Sequence, residues 1–242
     1  MRSANPGQRR VLAAVSPRER PQLGHLAMRR PPPPPLPRPG GAPISPQMPG
    51  LAAQITACRL CAGAYAATAT AHAPRPVAWF APSAVIRIIG QAPGKRVHDS
   101  GRPFDDASGD RLRDWLGLTR ATFYDRARIA ITPMAFCFPG YDARGADLPP
   151  PRRCAETWHD AVDQALPNVR LTLLVGAYAQ RRYLGARGAL TETVRAWRDH
   201  APATFPLPHP SWRNTGWLNK HPWFEAELLP VLRSRIATTL GG

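Results

Sequence analysis

The chain is nearly without lysine. Lys95 and Lys220 are the only two, so almost all of its 32 basic residues are arginine. Long apolar runs are missing too. No stretch approaches the ~18 residues that a membrane-spanning helix needs, which excludes an integral helical membrane protein. Met1–Arg38 mixes Arg and Pro and lacks the apolar centre of a secretory signal. The expected compartment is therefore the cytoplasm, in association with the nucleoid. Neither a G-x-G-x-x-G fingerprint nor a phosphate loop ending in Gly-Lys-Ser/Thr occurs, so dinucleotide oxidoreductases and nucleotide triphosphatases lack support. No internal repeat is visible. Cysteine is sparse: Cys58, Cys61, Cys137 and Cys154. In a reducing compartment two disulfides are disfavoured, and the grouping favours a metal.

Positive charge and proline are abundant. The formal net charge is +16, and there are 30 prolines. Arginine grips phosphate bidentately, so this surplus suits a polyanionic partner. The plainer alternative is a GC-rich genome that favours Arg, Ala and Pro codons. Met1–Gln47 reads as an extended tail. It has five consecutive prolines (Pro31–Pro35) and eight arginines against one acid, Glu19, and such a segment cannot bury a core. Met48 is a second candidate start. The folded domain is expected over residues 48–242.

Four short apolar runs read as strands: Val85–Gly90, Arg128–Thr132, Leu171–Gly176 and Thr204–Leu207. Helical patterns fall between them: Gly109–Leu116 behind a Ser108 cap, Cys154–Leu166, Ala177–Leu184 and Leu190–Asp199. A closing helix over Trp223–Ala237 should kink at Pro230. Ahead of the first strand, Gln47–Ala71 is an Ala-rich, helical stretch carrying Cys58 and Cys61. Alternating strands and helices predict an α/β fold with a parallel sheet. Its ligand crevice should lie at the carboxyl ends of the strands. The loops Gly90–Gly94, Pro133–Cys137 and His209–Asn214 all leave strands at that end.

The cysteines follow the pattern C-x2-C, then 75 intervening residues, then C-x16-C. Converging thiolates would suit tetrahedral zinc or a cubane cluster; the alternative is four unligated thiols, two of them buried core residues.

Taken in order, these motifs resemble the iron–sulfur branch of the uracil-DNA glycosylase superfamily, families 4 and 5. Gly90-Gln91-Ala92-Pro93-Gly94 is similar to the family's first motif, Gly-Glu-Ala-Pro-Gly. Gly101-Arg102-Pro103-Phe104 is similar to its Gly-Arg-Pro-Phe, and His209-Pro210-Ser211 to its last motif. Cys58, Cys61, Cys137 and Cys154 match the layout that holds a [4Fe–4S] cluster, with zinc as the alternative. The resemblance implies a three-layer α/β/α sandwich with a central four-stranded parallel sheet. It also implies a monomeric DNA-repair enzyme acting on single- or double-stranded DNA. The enzyme would hydrolyse the N-glycosidic bond of uracil, or a related deaminated base, and leave an abasic site.

The residue types suit that chemistry. The target base must leave the stack and enter a pocket, where Phe104 could stack on it. The base would be enclosed by Gly90, Gln91, Ala92, Pro133 and His209. His209 is the candidate donor to the charge that develops on the departing base. Ser211, Trp212, Arg213 and Asn214 would enter the minor groove, Trp212 filling the vacated stack and Arg213 meeting phosphate.

Two positions depart from family 4. Gln91 replaces the Glu and cannot act as a base, and Pro133 replaces the Asn that reads uracil's edge. Family 5 also lacks that Asn, and Asp106-Ala107-Ser108-Gly109 is similar to one of its motifs. The carboxylate that orients water is then sought at Asp105 or Asp106, with His98 and Asp99 as weaker candidates. The competing reading of Asp105 and Asp106 is a helix cap, or pairing with Arg111 and Arg113. With no Lys in the motif loops except Lys95, the reaction should be monofunctional hydrolysis without a Schiff base. The rival functions are a catalytically inactive damaged-DNA-binding module of the same fold, and a zinc-held nucleic-acid-binding domain.

Overall fold

The computed structural model describes residues 50–242. The Arg- and Pro-rich tail at Met1–Gln47 lies outside the described residues.

In chain order the elements are α1 (Leu51–Thr56), α2 (Ala62–Ala66), β1 (Ile86–Ile89), α3 (Lys95–Ser100), α4 (Ala107–Leu116), α5 (Arg120–Phe123) and β2 (Ile129–Ile131). Then come α6 (Arg152–Ala165), β3 (Leu171–Val175), α7 (Ala177–Leu184), α8 (Leu190–Arg195), β4 (Thr204–Leu207), α9 (Thr215–Lys220) and α10 (Leu229–Gly241). The four strands form one sheet in the order β2-β1-β3-β4, and every pairing is parallel. Such strands are covered on both faces, which is why they are written as mainly apolar runs.

Register separates the faces. Ile86 sits opposite both Ile129 and Leu171, and Ile88 opposite Ile131 and Leu173. These residues join Val175, Phe205 and Leu207 in one core with Leu112, Trp115 and Leu116 of α4 and Leu229, Leu232 and Ile236 of α10. Residues of the opposite parity, Ala130, Ile89 and Leu174, pack against Ile55 of α1, Val162 of α6 and Ala179 of α7. Helices thus cover both faces, as a three-layer α/β/α sandwich requires. Ile88 has no exposed surface, so its truncation to Ala would cost ~2–5 kcal/mol.

Several boundaries differ from the sequence reading, each for a local reason. The α4 cap is Asp106, whose Oδ1 accepts the Gly109 amide at 2.9 Å; Ser108 already lies inside the helix. α6 opens at Arg152, so Cys154 sits within its first turn. The expected Leu190–Asp199 helix breaks at Ala196, and a 3₁₀ turn, Trp197–Asp199, follows. That turn is anchored by the buried Trp197 ring stacked on Phe205. The Ala-rich N-terminal stretch is two short helices with the Cys58–Cys61 turn between them. At the other end, Pro230 lacks an N–H and would crowd the carbonyl four residues back. A wide π-turn, Phe224–Leu228, takes up that misfit ahead of α10.

Part of the arginine surplus serves the fold. Arg113 donates to the Phe104 carbonyl, Arg128 to that of Leu240, Arg170 to that of Thr239, and Arg233 to those of Trp115 and Asp114. These side chains satisfy backbone acceptors that a helix end or a turn leaves open.

Candidate active site at the carboxyl edge of the sheet

The loops that leave β1 and β2 are stitched together beyond the strands. Met134 N–H donates to the Gly90 carbonyl at 2.9 Å, and Ala135 N–H to that of Gln91 at 3.1 Å. A cleft of about 350 Å³ opens over them. Its walls include every residue expected to enclose a base: Gly90, Gln91, Ala92, Phe104, Pro133 and His209. Ser211, Arg213 and Asn214 also line it, while Trp212 stands outside at 73% exposure.

Phe104 is held in an unusual conformation. Its φ is +53°, in the left-handed region that costs a non-glycine residue roughly 1–3 kcal/mol. The surroundings fix it there. Arg113 and the Tyr124 hydroxyl both donate to its carbonyl, at 3.2 and 3.0 Å. Gly109 permits the close approach, because a Cβ there would lie 1.8 Å from that same oxygen. The ring in turn passes over Gly90, where an added Cβ would stand 3.3 Å from it.

The His209 loop is tied from within and from α4. Ser211 N–H donates to Nδ1 of His209 at 3.2 Å, and Asn214 Nδ2 donates to the His209 carbonyl at 2.7 Å. Arg111 donates to the Ser211 carbonyl at 3.1 Å and to Thr215 Oγ1 at 3.3 Å. Because Nδ1 accepts, the ring proton is assigned to Nε2. Burial holds the imidazole below its ordinary pKa, opposed by the charges of Asp106 and Asp147. His209 is thus a neutral imidazole with an Nε2–H available in the cleft wall.

The carboxylates separate. Asp106 lines the cleft while capping α4. Asp105 instead accepts from Arg120 at 2.7 Å and is not part of the cleft wall; that hydrogen bond holds its pKa down. Asp99 is paired with Lys95 at 2.6 Å. The alternative pairing with Arg111 and Arg113 does not form. Arg111 holds the His209 loop, and Arg113 meets Asp110 at 2.6 Å. A second carboxylate, Asp147, also lines the cleft and was missed from sequence. It reaches the wall through a small hairpin in which Tyr141 and Asp147 pair and Asp142 caps the turn. A hairpin could be guessed from Asp142 and Gly145, but nothing local shows where it leans.

A family model described as the Uracil DNA glycosylase superfamily matches residues 77–233, well over half of the chain. The chain belongs to the uracil-DNA glycosylase superfamily. Membership points to a DNA glycosylase with DNA as its partner. Among the described residues, no helix is long and apolar enough to cross a membrane.

In this glycosylase-superfamily chain the four cysteines line a second cavity, shared with Tyr65, Phe136 and Trp158. All are free thiols; Cys137 is buried and the other three are partly so. Cys58 and Cys61 precede the matched span, whereas Cys137 and Cys154 lie within it. Burial, with the neighbouring thiols, pushes Cys137 up to about 12 and Cys154 to about 11. The Phe136 amide donates to Cys154 Sγ at 3.4 Å. Among the described residues, no three His, Cys, Asp or Glu side chains are spaced to hold one metal ion.

Proposed function

We propose that this protein is a monofunctional DNA glycosylase that excises uracil, or a related deaminated base, by base flipping. The observation that carries this reading is the pairing, across one cleft, of the fixed Phe104 ring with a neutral His209.

The flipped base stacks on Phe104. The C1′–N bond breaks, and its electron pair stays with the base. His209 Nε2–H donates to the base oxygen on which that charge accumulates, acting as an oxyanion-type donor. The sugar becomes oxocarbenium-like, and Asp106 balances its charge and orients the attacking water. The water oxygen bonds to C1′, and its proton passes through the carboxylate to the base anion. Gln91 forms a wall of the pocket. Pro133 has no side-chain donor, so the base edge is selected less narrowly than by an Asn. Trp212 enters the stack that the base has left.

The same proposal places a [4Fe–4S] cluster on Cys58, Cys61, Cys137 and Cys154, where it would supply a structural cross-link. What supports a shared metal centre is that all four cysteines line one cavity.

The test is a panel of oligonucleotides carrying uracil, hypoxanthine, xanthine or mismatched thymine, incubated with protein and then cleaved with alkali at abasic sites. Cleavage by wild type that His209→Ala abolishes supports the glycosylase. Tight binding of the damaged strand without any cleavage supports the inactive binding module instead.

A further inference from the structure

Behind the cleft lies a polar network that the proposed chemistry leaves unused. Arg87, in the middle of β1, is only 5% exposed, and His159 on α6 is not exposed at all. Arg87 Nε donates to Thr132 Oγ1 at 2.8 Å, one terminal nitrogen pairs with Asp163, and the other donates to the Tyr183 hydroxyl at 3.0 Å. The Tyr183 hydroxyl lies 2.8 Å from His159 Nδ1 and 3.0 Å from Asp163 Oδ1. His159 Nε2 lies 3.1 Å from the carbonyl of Pro133, a residue of the cleft wall.

Proton placement follows from the partners. A carbonyl can only accept, so His159 carries its proton on Nε2 and gives it to Pro133. Nδ1 then shares the single Tyr183 hydroxyl proton with Asp163 Oδ1, while the hydroxyl oxygen accepts from Arg87. Burial, with the adjacent Arg87 charge, pushes His159 down to about 4, so the ring is neutral in this arrangement. The chain of bonds runs from two helices, α6 and α7, through the sheet to one backbone oxygen.

Such a network is an expensive way to fill space. Apolar side chains of similar size would pack at least as stably, whereas a satisfied polar network fixes a single geometry. The geometry it fixes is that of Thr132 and Pro133. No side chain at position 133 can read the base, so recognition there is a matter of where the backbone and ring stand. The same segment is stitched to α6 again by the Phe136 amide on Cys154.

Building on the glycosylase reading, we propose that His159, oriented by Tyr183, is a positioning residue that sets base selectivity by fixing the Pro133 wall of the pocket. It touches neither the base nor the sugar.

The test compares wild type with Tyr183→Phe, His159→Phe and His159→Gln in single-turnover excision of uracil, hypoxanthine and mismatched thymine. Affinity for the same duplexes is measured alongside. Tyr183→Phe and His159→Phe should change the ratio of uracil to hypoxanthine rates by about tenfold, with duplex Kd within twofold. His159→Gln retains an N–H for the Pro133 carbonyl and should restore much of the ratio. A merely structural role would lower all rates together in proportion to the folded fraction, and an unchanged ratio overturns the proposal. Should His159→Phe fail to fold, Tyr183→Phe alone decides. Absence of cleavage by wild type would count against the glycosylase reading itself. The positioning claim would then be judged by how well each protein distinguishes uracil-containing from thymine-containing duplex in binding, and equal discrimination in wild type and Tyr183→Phe would overturn it.

Discussion

The amide of Ser211 donates to Nδ1 of His209 across 3.2 Å, and that bond leaves the ring proton on Nε2. If the neutral ring donates in the transition state, His209→Ala should lower excision by about 10²–10³-fold. Tm should change little, since the loop is also held by Arg111 and Asn214.

The pH profile follows from the lowered His209 pKa. The rate should stay level as pH falls from about 8 through the ordinary histidine value of ~6.5. It should decline only below the lowered pKa, when the ring takes up a second proton. Stability follows the same sign. The unfolded chain binds the proton first, so the contribution is complete above ~6.5 and is lost as pH falls toward the folded value. His159, pushed down to about 4, acts in the same window and makes up to about 3 kcal/mol available for acid unfolding. His159→Phe should therefore flatten the dependence of unfolding free energy on pH between about 6.5 and 4, measured by urea titration against wild type.

Asp106 combines a cap with a place in the cleft, and two substitutions separate these tasks. Asn is as good a cap as Asp, so Asp106→Asn should leave stability within ~0.5 kcal/mol while removing the charge. Asp106→Ala should cost ~1 kcal/mol. If the carboxylate handles water, both variants lose activity to a similar degree despite the difference in Tm. Asp105→Asn should leave the rate unchanged, because its carboxylate is turned to Arg120. The pair is largely solvated on the Arg120 side, so its loss should change stability little. Loss of excision in Asp105→Asn with Asp106→Asn active would reverse the assignment.

These outcomes also show which parts of the molecule are written locally. Buried parallel strands have to be continuous apolar runs, so all four could be found from sequence, and Thr204–Leu207 was placed to the residue. The loops at their carboxyl ends then followed from sheet topology. The choice of cap did not. Asp105, Asp106 and Ser108 are all acceptable caps, and the winner is set by the left-handed turn at Phe104 against Gly109. The Arg87 network was hidden for a related reason. An arginine inside an apolar run reads as part of a strand, and its partner Asp163 lies 76 residues away.

The four-cysteine cavity predicts a colour. Anaerobically purified protein should be brown and contain about four iron and four sulfide per chain. A colourless preparation loaded with zinc would dismiss the cluster while leaving the fold intact. Stripping the metal should speed hydrogen exchange at residues 133–137 and 152–155. Those segments carry Cys137 and Cys154, and the Phe136 amide joins them. Exchange in the sheet itself should not change.

Trp212 is a large apolar side chain left 73% exposed on a short 3₁₀ turn beside the cleft. The fold has little use for it there, so Trp212→Ala should shift stability by no more than ~0.5 kcal/mol. Binding should respond differently according to the DNA. In a duplex the indole replaces the stacking that the flipped base gives up, a contribution of ~1–3 kcal/mol, or about 5- to 150-fold in affinity. A single strand has no vacated stack to fill, so the loss there should be much smaller. Arg213→Ala gives the contrasting pattern of a phosphate contact. It should weaken binding about equally for all sequences and reduce the salt dependence of log K by about one unit. Fluorescence anisotropy with matched single- and double-stranded uracil oligonucleotides, at several salt concentrations, separates the two. An equal loss for both DNA forms in Trp212→Ala would remove the wedge role from this residue.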